Sequence, residues 1–234
     1  MSERVQRIRI TFARDDAQKY ITHLDVMRAW ERVLNRAAVP VSYSEGFTAR
    51  PRIALAAPLA VGVTSECEIL ELYTSRRVSP QELVADLAAQ LPIGLTISSA
   101  AEVPIAWPSL QSMLRAVVYL VTVTDSRSVA EWQNAIDGLL AQPTISWQHQ
   151  RGDELRQYDL RPLIHDIELL DVVESSATLR LRLRSDETGS GRPEQVTKAL
   201  GVESEPDRIH RICLELDQPS VARTAYRAAG RPAD

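Results

Sequence analysis

The sequence predicts an α+β protein in which a β-α-β-β-α-β unit occurs twice in tandem. Segments with strand-like alternation and segments with helical spacing follow one another in that order, and the order restarts after residues 106–113. Apolar residues form 44% of the chain and charged residues 25%, which is typical of a globular protein with a buried core. The 234 residues also suffice for two domains of about 100 residues each.

The first unit contains two helices whose ends are marked in the sequence. Thr22 and Asp25 have the spacing of a capping box, and Pro40 prevents the first helix from continuing. Ser79 precedes Pro80, a residue that the first helical position tolerates well. The predicted elements in chain order are strand 4–13, helix 22–39, extended segments 40–44 and 52–62, strand 66–75, helix 79–91 and strand 94–104.

The second unit repeats this pattern, and its clearest strand is SATLRLRLRS, which alternates so regularly that it must be half-buried. Its predicted elements are strand 114–124, helix 128–142, a long extended region over 144–150 and 158–172, strand 176–185, a short helix closed by Gly201, and strand 207–216. Each unit therefore has the ferredoxin-like order. The predicted domains are residues 1–105 and 106–218, and a flexible tail follows at 219–234.

The net charge of −4 excludes a chain that attracts nucleic acid over its whole surface, so an anion-binding site must be local. Among the 27 basic residues only Lys19 and Lys198 are lysines. This arginine excess has two explanations, a GC-rich genome or the use of planar guanidinium groups for bidentate contacts with phosphate or carboxylate. Composition alone does not separate the two.

The first predicted helix carries a stripe of arginines. Arg28, Arg32 and Arg36 recur at intervals of four residues, which places them along one side of the helix. Between residues 19 and 52, six basic side chains are opposed by three acidic ones, which gives a local charge of +3 on an acidic chain. This pattern is expected of a local phosphate-binding surface, and it is also compatible with a solvated helix face.

The stretch YSEGFTARPR, residues 43–52, combines aromatic rings with arginines that point to one side of an extended segment. Such pairs hold single-stranded RNA, because bases stack on the rings and phosphates pair with the guanidinium groups. The alternative is a wide hairpin in which Phe47 covers a core edge and Arg50 pairs with Glu45. The predicted RNA-binding residues of the helix and this stretch are Arg28, Arg32, Arg36, Tyr43, Phe47, Arg50 and Arg52.

Catalytic signals are sparse. The chain has no nucleophile elbow, Walker-type loop or dinucleotide fingerprint, so no cofactor is expected. None of the four histidines has a ligand at metal-site spacing, so no metal is expected. His23, together with Tyr43, is the candidate for acid–base chemistry, although a histidine in the first turn of a helix is more commonly a plain surface residue.

A second polar stretch interrupts the long extended region of the second unit. Tyr158, Asp159 and Arg161 precede or flank Pro162 and are too polar for ordinary strand positions. Asp159 and Arg161 project to the same side of an extended chain, so an ion pair is one explanation. The other explanation is a docking edge for a partner protein, or the second side of a groove shared with the first unit.

The stretches THLD, SEGF, RPRI and YDLRPLI resemble the radical SAM-linked protein family, the domain of unknown function DUF2344. The resemblance covers most of residues 5–216, and it departs at Thr48 and Ala49 and at APLAVGV. It implies a module that is fused to a radical SAM protein or encoded next to one, near genes of ribosome and RNA metabolism. A radical SAM enzyme needs three thiolates for its iron–sulfur cluster, and this chain has two cysteines, so the radical chemistry would belong to the partner.

These observations favour a non-catalytic RNA-binding module that works with a radical SAM partner in RNA modification or ribosome metabolism. Two alternatives stay open: a metal-independent RNA-processing enzyme that uses His23 and Tyr43, and a subunit that only docks a protein. Cys67 and Cys213 lack a pairing motif, and the sequence shows neither a signal peptide nor an apolar run of membrane-spanning length. We therefore expect a reduced, cytoplasmic protein without membrane contact.

Overall fold

The computed structural model describes residues 4–46, 48–151 and 154–219. Within these ranges the chain forms an α+β fold with one mixed nine-stranded sheet, one two-stranded sheet and five α-helices. The first half contains β1 (Gln6–Arg14), α1 (His23–Arg36), β2 (Ile53–Leu55), β3 (Thr64–Thr74), α2 (Pro80–Ala88) and β4 (Leu95–Val103). The second half contains α3 (Leu110–Met113), β5 (Leu114–Thr124), α4 (Val129–Leu140), β6 (Ser146–Arg151), β7 (Glu154–Asp159), β8 (Ile164–Val173), β9 (Ser176–Asp186), β10 (Gly189–Ser190), α5 (Pro193–Ala199) and β11 (Arg208–Leu216).

The large sheet runs through both halves of the chain. Its strands lie in the order β10-β9-β5-β11-β3-β1-β4, with β2 also paired to β3 and β8 also paired to β9. The neighbouring strands are antiparallel, except that β11 runs parallel to β3, where His210 lies opposite Thr64 and Arg211 opposite Ser65. The β3–β11 pair is therefore the seam at which the two halves join.

The helix α1 forms as its sequence predicts. Thr22 is the N-cap, and its hydroxyl accepts a hydrogen bond from the Asp25 amide at 3.3 Å, which satisfies one of the free amides of the first turn. Trp30, Val33 and Leu34 lie on the side of α1 that faces the sheet, and they are buried there. The Trp30 ring meets Phe12 of β1 edge to face, with 4.9 Å between ring centroids.

The chain has a second hydrophobic core besides the one between α1 and the sheet, and it contains residues of both halves. In α4, Ser128 and Glu131 form a complete capping box, and Trp132 and Ile136 are buried. These side chains pack with the inward row of β9, whose residues alternate between buried and half-buried as the sequence predicts. The same cluster includes residues of the first half, namely Ala56, Ala57, Leu59, Val63 and Ile69.

Two regions differ from the expected elements. The predicted extended region after α4 contains a separate hairpin, β6–β7, and a 3-10 turn at Arg161–Leu163 before β8 begins. The joint between the units contains the short helix α3, and it is fixed to β1: Arg7 donates hydrogen bonds to the carbonyls of Trp107 and Pro108, each at 2.8 Å. The predicted tail lies, from residue 220 onward, outside the described residues.

Candidate functional site

The arginine stripe of α1 faces solvent. Arg28, Arg32 and Arg36 are all exposed. Arg28 forms an ion pair with Asp25 at 3.3 Å, and Arg36 donates a hydrogen bond to the Gln90 carbonyl at 3.0 Å, which leaves its charge uncompensated. Among the described residues no carboxylate pairs with Arg32 or Arg36. The stripe therefore presents net positive charge to solvent.

The stretch of residues 43–52 closes as a hairpin. Tyr43 lies opposite Pro51, and the Ser44 amide donates to the Arg50 carbonyl at 2.8 Å. Arg52 donates from its Nε to the Tyr43 carbonyl at 3.1 Å, so its guanidinium helps to fix the hairpin. Arg50 is exposed, and no carboxylate of the described chain, Glu45 included, pairs with it. Phe47 lies outside the described residues.

Arg36, at the end of α1, and this hairpin lie at one end of the sheet, whereas His23, at the start of α1, lies at the other. The Ser42 amide donates to the Tyr73 carbonyl near the end of β3, and the Ser75 amide donates to the Pro40 carbonyl just after α1. His23 is instead the first residue of the 14-residue α1. The helix separates His23 from Tyr43 by about 20 Å, which is far beyond hydrogen-bond reach. The structure does not bring the two candidate catalytic residues together.

The polar residues of the predicted docking edge are held inside the fold. The Asp159 carboxylate accepts hydrogen bonds from the amides of Ile145 and Arg161 at 2.8 and 3.0 Å. The Arg161 guanidinium donates to the carbonyls of Leu140 and Ile164 at 3.1 and 2.8 Å. Asp159 and Arg161 thus connect α4 to β8, and they do not form the side-chain ion pair considered above. A docking role for Tyr158, Asp159 and Arg161 stays a prediction.

A cleft of about 1030 Å³, which we call the central cleft, lies at the junction of the two halves. The first half contributes the segment that follows β2, residues 56–60. The second half contributes Trp147 of β6, the turn after β9, residues 185–187, and the segment 190–195 that enters α5. Apolar side chains dominate its walls, and Arg211 lies in its floor beside the β3–β11 seam.

Arg211 is buried and tied to the first half. Its Nη1 donates to Glu68 at 3.0 Å, and its Nη2 donates to the Pro58 carbonyl at 2.9 Å and to the Tyr119 hydroxyl at 3.2 Å. Burial alone would lower the pKa of Arg211, but the charge of Glu68 and the contact with Tyr119 outweigh it and raise the pKa. The cleft floor therefore carries a charged guanidinium that is paired with Glu68.

A smaller cavity of about 700 Å³ lies next to the central cleft. The two share Ser190, Arg192 and Gln195 in their walls, so the segment that leads into α5 separates them. The glycine at position 191 lets this segment pass close to the backbone of Leu163. A Cβ at that position would lie 2.8 Å from the Leu163 carbonyl oxygen. Arg192 is exposed at the opening, whereas Gln195 is buried.

The titratable groups near the cleft disfavour nucleophilic chemistry. Burial raises the pKa of the Cys67 thiol to about 12, so the reactive thiolate is not formed near neutral pH. Burial would also raise the pKa of Asp186, but hydrogen bonds from Thr188 and Arg184 outweigh this effect and lower it to about 2. Asp186 is thus a charged acceptor that shapes the turn after β9.

A family model described as "Uncharacterized protein conserved in bacteria (DUF2344)" matches residues 7–193, which is most of the chain. The chain belongs to the DUF2344 family. The resemblance to DUF2344 seen in the sequence is thereby confirmed, whereas the association with radical SAM proteins stays a prediction. The matched region of this DUF2344 protein includes the α1 stripe, the hairpin and most of the central cleft. No curated protein matches the sequence.

Solved structures are similar to this chain at low sequence identity. A chain of a Cbf5–Nop10–Gar1 complex is similar with a TM-score of 0.50 and 12% identity over 90% of the DUF2344 chain. An archaeal box H/ACA Nop10–Cbf5 complex gives a TM-score of 0.47 and 11% identity. The DUF2344 chain spans about half the length of these chains, 50% and 49% respectively. Separately, no α-helix among the described residues has both the length and the apolar character needed to cross a bilayer.

Sequence reasoning missed the central cleft. Arg211 is one of two arginines in the strand RIHRICLEL, and nothing in this stretch indicates an ion pair with a residue 143 positions away. Arg192 and Gln195 lie where the sequence predicts only a loop and a short helix. The one available signal was the glycine-rich turn DETGSGRPE, because paired glycines indicate close backbone approach.

Proposed function

We propose that this DUF2344 protein is a non-catalytic RNA-binding module that works with a radical SAM partner. One observation carries the RNA-binding part: Arg32, Arg36 and Arg50 are exposed and lack a carboxylate partner among the described residues. Other arginines of the chain, such as Arg180, Arg182 and Arg184 on β9, pair with carboxylates. Uncompensated guanidinium groups concentrated in one region favour contact with phosphates.

The proposed architecture is a tandem pair of ferredoxin-like units, residues 1–105 and 106–218. Its support is the strand order: the first half pairs β4, β1, β3 and β2 in that sequence, and the second half pairs β11, β5, β9 and β8 in the same way, with β10 and the β6–β7 hairpin as additions. The radical SAM association rests on the family resemblance, and the low cysteine count supports a division in which the partner holds the cluster. A cytoplasmic location is part of the same proposal.

Filter binding of the full chain to total RNA at several salt concentrations tests the RNA-binding proposal. We expect log affinity to fall linearly with log salt concentration, because each phosphate contact releases counterions. The triple variant Arg32→Ala, Arg36→Ala, Arg50→Ala should bind more weakly and reduce the salt slope by about two to three, one for each lost contact. Arg115→Ala is the matched control, since Arg115 is exposed in the second half and pairs with Asp217.

Two outcomes would contradict the RNA-binding proposal. One is the absence of RNA binding at low salt, and the other is binding whose salt slope is equal in the wild type and the triple variant.

The partner is tested separately by co-expression with the neighbouring radical SAM protein and size-exclusion chromatography. Elution of the iron–sulfur absorbance apart from the DUF2344 chain would argue against a stable complex.

A further inference from the structure

Gln195 is a buried side chain whose carboxamide oxygen has no hydrogen-bond partner among the described residues. It lies in α5 with 7% of its surface exposed, and no described residue forms a hydrogen bond with its Oε1. A buried carboxamide that has lost its contacts with water destabilises the fold when nothing in the protein replaces them. A leucine of similar size would avoid this cost. The buried amide therefore calls for a function other than packing.

The position of Gln195 connects this unpaired amide with a cavity. Gln195 lines both the central cleft and the smaller cavity beside it. A second unpaired polar atom, the Nε of Arg211, is buried at the floor of the central cleft. The two unpaired atoms are an acceptor on Gln195 and a donor on Arg211, so a ligand that pairs with both must carry a donor and an acceptor.

The other walls of the cleft restrict the chemistry of this ligand. Leu59, Val63 and Leu114 give apolar surface, and the aromatic rings of Tyr119 and Trp147 lie in the same lining. Such walls favour a flat ring over a strongly hydrated molecule. A carboxamide pairs with the edge of a ring that carries a donor beside an acceptor, as nucleobases do. Arg192 lies exposed at the opening, where a phosphate linked to the ring through a sugar would reach solvent.

We propose that the central cleft binds one nucleobase of a nucleotide, with the Gln195 carboxamide paired to the base edge and Arg192 near the phosphate. The inference rests on the proposed RNA-binding function and specifies the part of the RNA that enters the protein. In this arrangement the arginines of α1 and the hairpin hold the RNA backbone, and a base that has left its stack occupies the cleft.

Calorimetric titration of the full chain tests the inference with five compounds: AMP, GMP, CMP, UMP and ribose 5-phosphate. We expect at least one nucleotide to bind and ribose 5-phosphate, which lacks the base, to bind at least about tenfold more weakly. Gln195→Leu should weaken nucleotide binding at least about tenfold, because the base edge then loses its partner. The same substitution should leave Tm unchanged or raise it by about 2–4 °C, since it removes an unpaired buried amide.

Gln142→Leu is the matched control, because Gln142 is exposed just after α4 and lines neither cavity. It should change neither nucleotide affinity nor Tm appreciably. Gln195→Met, which keeps the length and flexibility of the side chain, repeats the test if the leucine variant does not fold. Loss of binding without loss of stability in either variant supports the inference.

Three results would overturn it: no nucleotide binds the wild type at millimolar concentration, ribose 5-phosphate binds as well as the nucleotides, or both Gln195 variants bind normally or have a lower Tm. The RNA titration separates this inference from the proposed function. RNA binding with the expected salt slope but no nucleotide binding refutes only the cleft site. Nucleotide binding that depends on Gln195, without salt-dependent RNA binding, refutes only the role of the arginine surface.

Discussion

Arg211 and Glu68 lie on strands from different halves of the chain, and only 3% and 4% of their side chains are exposed. Arg7, Arg9 and Glu71 form a second buried group on β1 and β3. Desolvation offsets much of the attraction in such groups, whereas removal of one partner leaves a buried charge without compensation. These residues are therefore more sensitive to single substitutions than the exposed ion pairs.

We predict that Arg211→Met lowers the free energy of unfolding by about 3–5 kcal/mol, because Glu68 is left buried and charged. Arg28→Met, at the exposed pair with Asp25, should change it by about 0.5 kcal/mol or less. The double variant Arg211→Met, Glu68→Leu should recover a large part of the loss. Urea denaturation of the four proteins measures these differences, and equal losses for the two single variants would disprove the prediction.

The Asp186 carboxylate gives a pH-dependent contribution to stability. Its pKa is about 2 in the folded protein, below the ordinary value of 3.8, because hydrogen bonds from Thr188 and Arg184 outweigh the effect of burial. A lowered folded pKa stabilises the protein above the unfolded pKa, and the contribution disappears as the pH falls through the folded pKa. The contribution is thus complete above about pH 4 and is lost toward pH 2.

Asp186→Asn should therefore be less stable than the wild type at pH 6, and the difference should shrink as the pH falls from 4 to 2. The measurement is the free energy of unfolding of both proteins across that range. Glu187→Gln is the control, since Glu187 is exposed and its substitution should give no such convergence. A difference between wild type and Asp186→Asn that stays constant with pH would show that the loss is steric.

At the scale of elements, the turn from β9 through β10 into α5 forms the wall between the two cavities. The Gly191 amide donates to the Arg184 carbonyl at 2.9 Å, and the segment passes directly over Leu163. A Cβ at Gly191 would lie 2.8 Å from a backbone oxygen, which cannot move as easily as a side chain. The cavity wall therefore depends on a glycine at this position.

Gly191→Ala should destabilise the protein by about 1–3 kcal/mol and weaken any ligand binding in the central cleft. Gly138→Ala is the matched control, because Gly138 lies in α4 with open space around its Cα, and alanine there should stabilise by about 0.5–1 kcal/mol. Chemical denaturation measures both changes. If Gly191→Ala left the free energy of unfolding unchanged, the turn at Leu163 would be able to move away from the added Cβ, and the prediction would be wrong.

For the whole molecule, the two halves share one sheet and one core. The β3–β11 pair continues the sheet, and Arg211 crosses the seam to Glu68. The segment after β2 packs with α4 and β5 in a single cluster, and Arg7 holds the joint at Trp107. Neither half keeps its full set of buried contacts without the other, so we expect their unfolding to be coupled.

We predict a single cooperative thermal transition, with calorimetric and van't Hoff enthalpies that agree. Far-UV circular dichroism and tryptophan fluorescence should report the same midpoint, because tryptophans occur in both halves. Arg211→Met should lower this midpoint without splitting the transition. Two separated transitions in the wild type would instead indicate halves that unfold independently.

Most elements could be predicted from the sequence because local signals mark them. Thr22, Ser79 and Ser128 cap helices, and the alternation LRLRLR gives the two sides of β9. The same alternation was not sufficient in β3, where Glu68 and Glu71 follow a pattern of acidic residues among apolar ones yet are buried. Their burial depends on arginines from β1 and β11, which only the folded chain brings close.

The sequence by itself determined which segments are helices and strands, where the helices begin, and that Arg28, Arg32 and Arg36 share one side of α1. These properties follow from interactions between residues a few positions apart. Only the tertiary structure decided that β11 joins β3, that a cleft forms beside this seam, and that the Gln195 Oε1 is buried there without a partner among the described residues. Those properties depend on contacts between residues more than 100 positions apart, for which the sequence carries no local pattern.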